Sequence, residues 1–242
     1  DDDIDVYMLR KDYNRLLELR NELPAYGYRI CALGDKECIY PYIKLCDANT
    51  TLIEYSDTSR CSIGVFIDIF ALDEVAGTSE KVKTQKETYL KLYKNFLITF
   101  RHPNLENIKK WFKNRYYKTL VISFLPYFLK KRIRKKFISY EDAWSEERGE
   151  FLYFHGCSLD TEKELFPKEW FKAYHYVPFD CYKIRVNDNV HEYLSLLFGD
   201  YMTPPPVDKR KSQHSHLYLN LKEGLSAKEV DKRLKNGETV VI

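Results

Sequence analysis

No run of about 18 consecutive apolar residues, the length that spans a bilayer, occurs in the 242-residue sequence. Nor does it carry a secretory-leader pattern. Its six cysteines (Cys31, Cys38, Cys46, Cys61, Cys157 and Cys181) form no CxxC pair and no zinc-ribbon spacing, which excludes the common thiolate metal folds. They are sparse for a chain this long, so reduced thiols in a cytosolic setting are expected. Internal repeats, low-complexity tracts and the usual nucleic-acid-binding motifs are also missing, and nucleic acid is not expected as a partner. What remains is 44% hydrophobic and 31% charged, an ordinary balance for a globular chain able to bury a substantial core. Aromatics are plentiful, with 20 Tyr, 14 Phe and 3 Trp. Most should fill core, while a surplus of Tyr also suits a site for a cationic ligand.

The acids are placed unusually. Asp1-Asp2-Asp3-Ile4-Asp5 leads directly into the apolar Val6-Tyr7-Met8-Leu9. As a strand, this run puts Asp1, Asp3 and Asp5 on one face, because side chains alternate with a period of two. Asp is depleted in strands, and three like charges on one face repel. A divalent cation such as Mg²⁺ or Mn²⁺ resolves the conflict, since hard oxygen ligands suit hard metals. Asp2 points the other way and reads as structural.

A second carboxylate lies in Gly64-Val65-Phe66-Ile67-Asp68-Ile69-Phe70, a near-continuous apolar run typical of a strand covered on both faces. Unpaired, Asp68 would cost several kcal/mol there. It must meet a cation, backbone N–H groups or a residue such as Arg60. Two carboxylates from one strand and one from another suit a metal-dependent nucleotidyl or phosphoryl transferase.

The blocks Asp1-Asp-Asp-Ile-Asp-Val, Arg10-Lys-Asp-Tyr13, Gly64-Val-Phe-Ile-Asp-Ile-Phe70 and Leu197-Phe-Gly-Asp-Tyr-Met202 with Pro204-Pro-Pro206 together resemble the LicD family of phosphocholine transferases. They occur in the family's order and span nearly the whole chain. Family members carry a Gly-containing turn and a Trp just upstream of the acidic run; this sequence starts inside that motif. The resemblance implies an α+β fold with a nucleotidyltransferase-like mixed sheet core. It also implies transfer of phosphocholine from CDP-choline to a sugar hydroxyl of a lipid-linked teichoic-acid or other cell-surface glycan precursor. Asp3, Asp5 and Asp68 carry over as catalytic and metal-binding residues, and Asp1 as a further ligand. Asp68 is the candidate general base.

Donor phosphates need cations. Arg10 and Lys11 lie at a helix N-terminus, a natural anion site; Lys44 and Arg60 are weaker candidates. His214 and His216 follow the last family block, where a trailing His recurs, and could line the site. A choline headgroup would need aromatic faces, for which Tyr182, Trp170, Tyr174, Tyr176 and Tyr201 are available.

Residues 81–139 differ in character from the core formed by 1–80 and 140–242. From Lys81 to Lys136 there are 17 Lys and Arg against Glu87 and Glu106, a local +15 in a chain of net +3. Trp111, Phe112, Tyr116, Tyr117, Phe124, Tyr127 and Phe128 are interleaved with them. A basic, aromatic helical insertion of this kind suits an anionic membrane surface, each nearby basic residue adding roughly 1 kcal/mol. The expected location is cytoplasmic, peripheral at the inner face of a bacterial plasma membrane. Alternatives are transfer of a polyol phosphate or phosphoethanolamine, or a non-catalytic glycan- or lipid-binding module. Elsewhere the periodicity predicts a helix over 12–23, a linker opening at Tyr140–Trp144, and a helix capped by Asp188 and ended by Gly199.

Overall fold

The computed structural model describes residues 4–36, 38–54, 63–76, 79–101, 103–156, 163–210 and 216–241. Strand β1 (Asp5–Leu9) runs directly into helix α1 (Arg10–Glu18), and two 3-10 turns carry the chain to Tyr26. Strands β2 (Tyr28–Cys31), β3 (Ile43–Asp47), β4 (Thr51–Ile53) and β5 (Phe66–Val75) follow. The basic segment is helical: α2 (Ser79–Ile98), α3 (Leu105–Lys113), α4 (Tyr117–Ser123) and α5 (Tyr127–Ser145). Next come β6 (Phe151–Tyr153), β7 (Phe166–Pro167), β8 (Tyr174–Phe179), β9 (Tyr182–Asn187) and α6 (Val190–Phe198). The chain closes with β10 (Tyr218–Asn220), α7 (Ala227–Lys235) and β11 (Val240–Val241). The architecture is α+β, as the sequence implies.

The ten-residue β5 organises the main sheet. It pairs antiparallel with β3 and β6 and parallel with β1, in a mixed sheet ordered β2-β3-β5-β6-β7 with β1 joined to β5. Alternation along β5 separates two cores. Ile67, Ile69 and Ala71 pack with Tyr13, Leu16 and Leu17 of α1. Phe70 and Leu72 point the other way, toward Tyr7, Phe154, Phe166 and Leu197. Because both faces are covered, β5 reads as an apolar run rather than an alternating one.

Helices α2 and α5 pack through rings, those of α2 one heptad apart. Tyr89 and Phe96 meet Phe137 with centroids 5.2 and 5.0 Å apart. Helix α5 continues through Tyr140–Trp144, where the sequence suggests a linker. Its buried Trp144 and partly buried Tyr140 pack against Val75, Val82 and Tyr153, and that burial outweighs the polar neighbours. Asp188 does not cap α6: its carboxylate lies 3.0 Å from Nδ1 of His175, and Asn189 takes the cap position. Gly199 does end that helix, at φ +70°. Among the described residues the β8–β9 hairpin forms its own two-stranded sheet, and β4, β10 and β11 make a separate small sheet. No helix among the described residues is long and apolar enough to cross a membrane. Cys31, Cys38 and Cys46 are buried, and Cys181 is exposed.

Candidate active site

The sheet register gathers charge from three strands into one rung. Asp5 of β1 is the partner of Asp68 on β5, Asp68 is opposite Lys44 on β3, and Lys44 is opposite Cys31 on β2. Directly paired residues share a sheet face, so Asp5, Asp68 and Lys44 stand side by side. The backbone N–H of Asp68 donates to the carbonyl of Ile4 at 3.2 Å, which fixes the acidic strand against β5.

Lys44 is buried, and its Nζ donates to both Asp68 carboxylate oxygens, at 2.9 and 3.2 Å. A third carboxylate, Glu54 at the end of β4, lies 3.5 Å from the same ammonium. Glu54 is itself held by the hydroxyl of Tyr40, which donates to it at 2.5 Å. Phe66, Tyr40 and Tyr42 surround the ammonium with ring centroids at 3.2, 4.3 and 5.5 Å. Three aromatic faces and two carboxylates replace the water that a buried lysine loses.

Burial pushes the Asp68 carboxyl up to about 6. The Lys44 ammonium opposes that rise, while the negative charges of Asp5 and Glu54 add to it. Asp5 is exposed. The arrangement thus has two carboxylates on one ammonium with a third, Asp5, beside Asp68, a surplus of negative charge, and one carboxyl poised to exchange a proton near neutrality.

The hard-oxygen chemistry of Asp5, Glu54 and Asp68 suits Mg²⁺ or Mn²⁺, and their surplus charge would favour one. Among the described residues, however, no group of three or more His, Cys, Asp or Glu side chains is close enough to hold a metal ion. Asp1 and Asp3 lie outside the described residues, as do Arg60 and His214. The cation that meets Asp68 in the structure is Lys44. A sequence signal for it existed: Lys44 interrupts the apolar run Tyr42-Ile43-Lys44-Leu45-Cys46 just as Asp68 interrupts its own. Two lone, opposite charges in two buried strands are candidates to pair.

Arg10 occupies a different place from the one the sequence suggests. Its guanidinium makes a bidentate pair with Asp73, both N–H groups donating at 2.6 Å, and a further bond to Glu141 at 3.3 Å. Nδ1 of His155 lies 3.5 Å from Asp73 Oδ2, the oxygen that also accepts from Arg10 Nη2. Asp73 is an odd number of residues from Asp68 on β5, hence on the opposite face. Burial alone would raise Asp73, but its bonds from Arg10 and His155 hold it below the usual carboxylate range. Glu141 is raised by burial despite His155 and Arg10. This network clamps α1 to β5, β6 and α5. Lys11, one residue on, is exposed in the first turn of α1.

His216 is exposed at the entry to β10. Leu217 N–H donates to Ile53 O at 2.7 Å, so the chain near His216 runs beside the end of β4 that carries Glu54. The aromatic candidates are dispersed in their contacts. Trp170 packs with the Leu72 core, and the Tyr201 hydroxyl lies 3.0 Å from Nδ1 of His191. Tyr182 is exposed on the β8–β9 hairpin. Tyr174 and Tyr176 meet edge-on at 6.2 Å, with the Arg185 guanidinium 4.5 Å above the Tyr174 ring.

The chain is 25% identical over 222 residues to lipopolysaccharide cholinephosphotransferase LicD of Haemophilus influenzae; the alignment covers 88% of this chain and 78% of that protein. No family model matches the chain, and no solved structure does.

Proposed function

We propose, from the premise that this chain is a distant relative of the LicD family, that it transfers phosphocholine onto a hydroxyl of a cell-surface glycan. The donor is CDP-choline, and the acceptor is a sugar of a lipid-linked teichoic-acid or other glycan precursor. The enzyme works on a nucleotidyltransferase-like core, peripheral to the cytoplasmic face of a bacterial plasma membrane. The observation that carries this reading is the Asp5–Asp68–Lys44 rung, in which a carboxyl with a pKa of about 6 stands beside a second, exposed carboxylate.

In the transfer, the acceptor hydroxyl oxygen forms a bond to the donor's distal phosphorus and the phosphoanhydride bond to CMP breaks. Asp68 accepts the hydroxyl proton, for which a carboxyl pKa near working pH is favourable. Lys44 fixes the carboxylate of Asp68 in place through two donated hydrogen bonds. Glu54, itself anchored by Tyr40, keeps Lys44 in position. Asp5 and Asp68, with Asp3 and Asp1, would hold Mg²⁺ or Mn²⁺, which when bound supplies charge neutralisation for the donor phosphates. Lys11 and His216, both exposed, and His214 are the candidates for contacting the nucleotide.

One observation favours a second reading of the transferred group. Of the aromatic side chains available for a choline cage, Trp170, Tyr174, Tyr176 and Tyr201 are engaged separately in core, hairpin and His191 contacts, and Tyr182 is exposed on the hairpin. A polyol phosphate or phosphoethanolamine needs no such cage. Incubation of the protein with Mg²⁺, CDP-choline and a sugar-lipid acceptor should release CMP, and Asp68→Asn should abolish that release. Consumption of CDP-ribitol or CDP-ethanolamine instead would change the donor. Release of no CMP from any of the three would remove the transferase reading.

A further inference from the structure

One face of α5 lies over a cavity of about 390 Å³ between that helix, the turn after β2 and the end of α2. Its cations are Lys36, Lys131, Arg134 and Lys135, and Phe96 and Phe100 form its apolar wall. Among the described lining residues the acid is Asp35, and it is already engaged: Arg20 donates to both carboxylate oxygens, at 2.7 and 3.0 Å. Arg134 is held in place, its guanidinium 3.6 Å above the Phe100 ring and bonded to the hydroxyl and carbonyl oxygens of Thr99. The three lysines are exposed around it. The hollow is therefore strongly electropositive and half aromatic, which is complementary to a phosphate attached to something apolar.

The same corner carries unusual apolar exposure. Val121, Phe124, Tyr127 and Phe128 are 62%, 59%, 72% and 63% exposed where α4 turns through Pro126 into α5. Lys130 closes this turn by donating to Ser123 O at 2.7 Å. Tyr127, Phe128, Lys131 and Lys135 follow helical spacing on one face. From Tyr127 to Lys135 the rise is about 12 Å, so rings at the helix start could sit in the acyl boundary with the lysines among headgroups. The exposed Lys131 and Lys135 beside these rings, within a segment of local charge +15, suit an anionic lipid surface.

We propose that this corner docks on an anionic bilayer, with the rings of the α4–α5 turn inserted and a phospholipid phosphate seated in the α5 cavity. The inference rests on the peripheral-membrane part of the proposed function, and not on its chemistry. It is tested by co-sedimentation of the full chain with vesicles of 30% phosphatidylglycerol in phosphatidylcholine, with no donor or acceptor present. Binding should exceed that to pure phosphatidylcholine by at least tenfold and fall with salt. Lys131→Glu combined with Lys135→Glu should remove at least nine-tenths of it, and Phe124→Ser with Phe128→Ser should weaken it at low salt. Both double variants change exposed side chains, and unchanged melting confirms that they fold. Equal sedimentation with both vesicle types, or parent-like binding by the lysine variant, would overturn the proposal. So would displacement by millimolar glycerol phosphate, which indicates a site for a free anion, or tighter binding to duplex DNA than to the vesicles. CMP release is measured separately, so loss of one reading leaves the other standing.

Discussion

Lys44 and Asp68 neutralise each other inside the sheet: one ammonium donates to both oxygens of one carboxylate, at 2.9 and 3.2 Å, from directly opposed positions on β3 and β5. The pair does not exist to be strong. A buried ion pair often contributes little over an apolar replacement, yet removing one partner leaves a buried charge uncompensated. Lys44→Met should therefore cost about 3–5 kcal/mol of unfolding free energy. Adding Asp68→Asn to Lys44→Met should restore part of that loss. Chemical denaturation of the two variants and the parent measures both effects; equal stability of Lys44→Met and the parent would show that the pair is not formed.

The raised Asp68 carboxyl makes a linked prediction about pH. Its folded pKa of about 6 lies above the ordinary aspartate value of 3.8. Between those values the folded state binds more protons than the unfolded state, so this group's contribution to stability grows as pH falls. From pH 7.5 to 4.5 the gain is about 2 kcal/mol by linkage. In metal-free buffer, the stability difference between Asp68→Asn and the parent should thus move by that amount in the parent's favour as the buffer is acidified. A difference independent of pH over this range would contradict the assignment.

Arg10 tests whether the first residue of α1 serves the fold or the donor. Its bidentate bond to Asp73 is 17% and 1% exposed at its two side chains, with Glu141 as a second partner. Arg10→Met would leave two buried carboxylates facing His155, a change of about 3 kcal/mol or more. If the clamp is its main role, the KM for CDP-choline should stay within about twofold of the parent at a temperature where the variant is folded, because this corresponds to under 0.5 kcal/mol of lost binding. A tenfold rise in KM with unchanged stability would return Arg10 to the donor phosphates.

These residues also show what the sequence makes legible. Alternation and the apolar surroundings bring Asp5 and Asp68 to notice, and β1 and β5 then place them in register. The α+β class follows from the family resemblance, and the basic segment stands out by its charge and its interleaved aromatics. Partner choice does not. Arg60 and Lys44 are both cations within reach along the chain, and only pairing of β3 with β5 selects Lys44. Asp73 looks like any acid after an apolar run until Arg10, Glu141 and His155 close around it from three other elements. The Tyr140–Trp144 stretch reads as polar linker because its anchors, Val75, Val82 and Tyr153, are distant in sequence. Such long-range burial overrides local propensity.

Gly64 gives the sharpest test of how the backbone places Asp68. A Cβ at this position would fall 1.9 Å from the carbonyl oxygen of Asp47 and 2.9 Å from Oγ1 of Thr50. The first of these is backbone and cannot rotate away. The approach is close because the chain entering β5 is laced to the end of β3: Asp47 N–H donates to Val65 O at 2.8 Å, and Val65 N–H donates to Thr50 Oγ1 at 2.8 Å. Gly64→Ala must open that lacing, four residues before Asp68 and two before β5 begins. Two lost hydrogen bonds and the displaced backbone should cost about 2–4 kcal/mol. CMP release should fall with stability although every charged residue of the rung is intact. A Gly64→Ala protein within about 0.5 kcal/mol of the parent, the spread of ordinary surface substitutions, would mean that β5 does not enter the sheet as described.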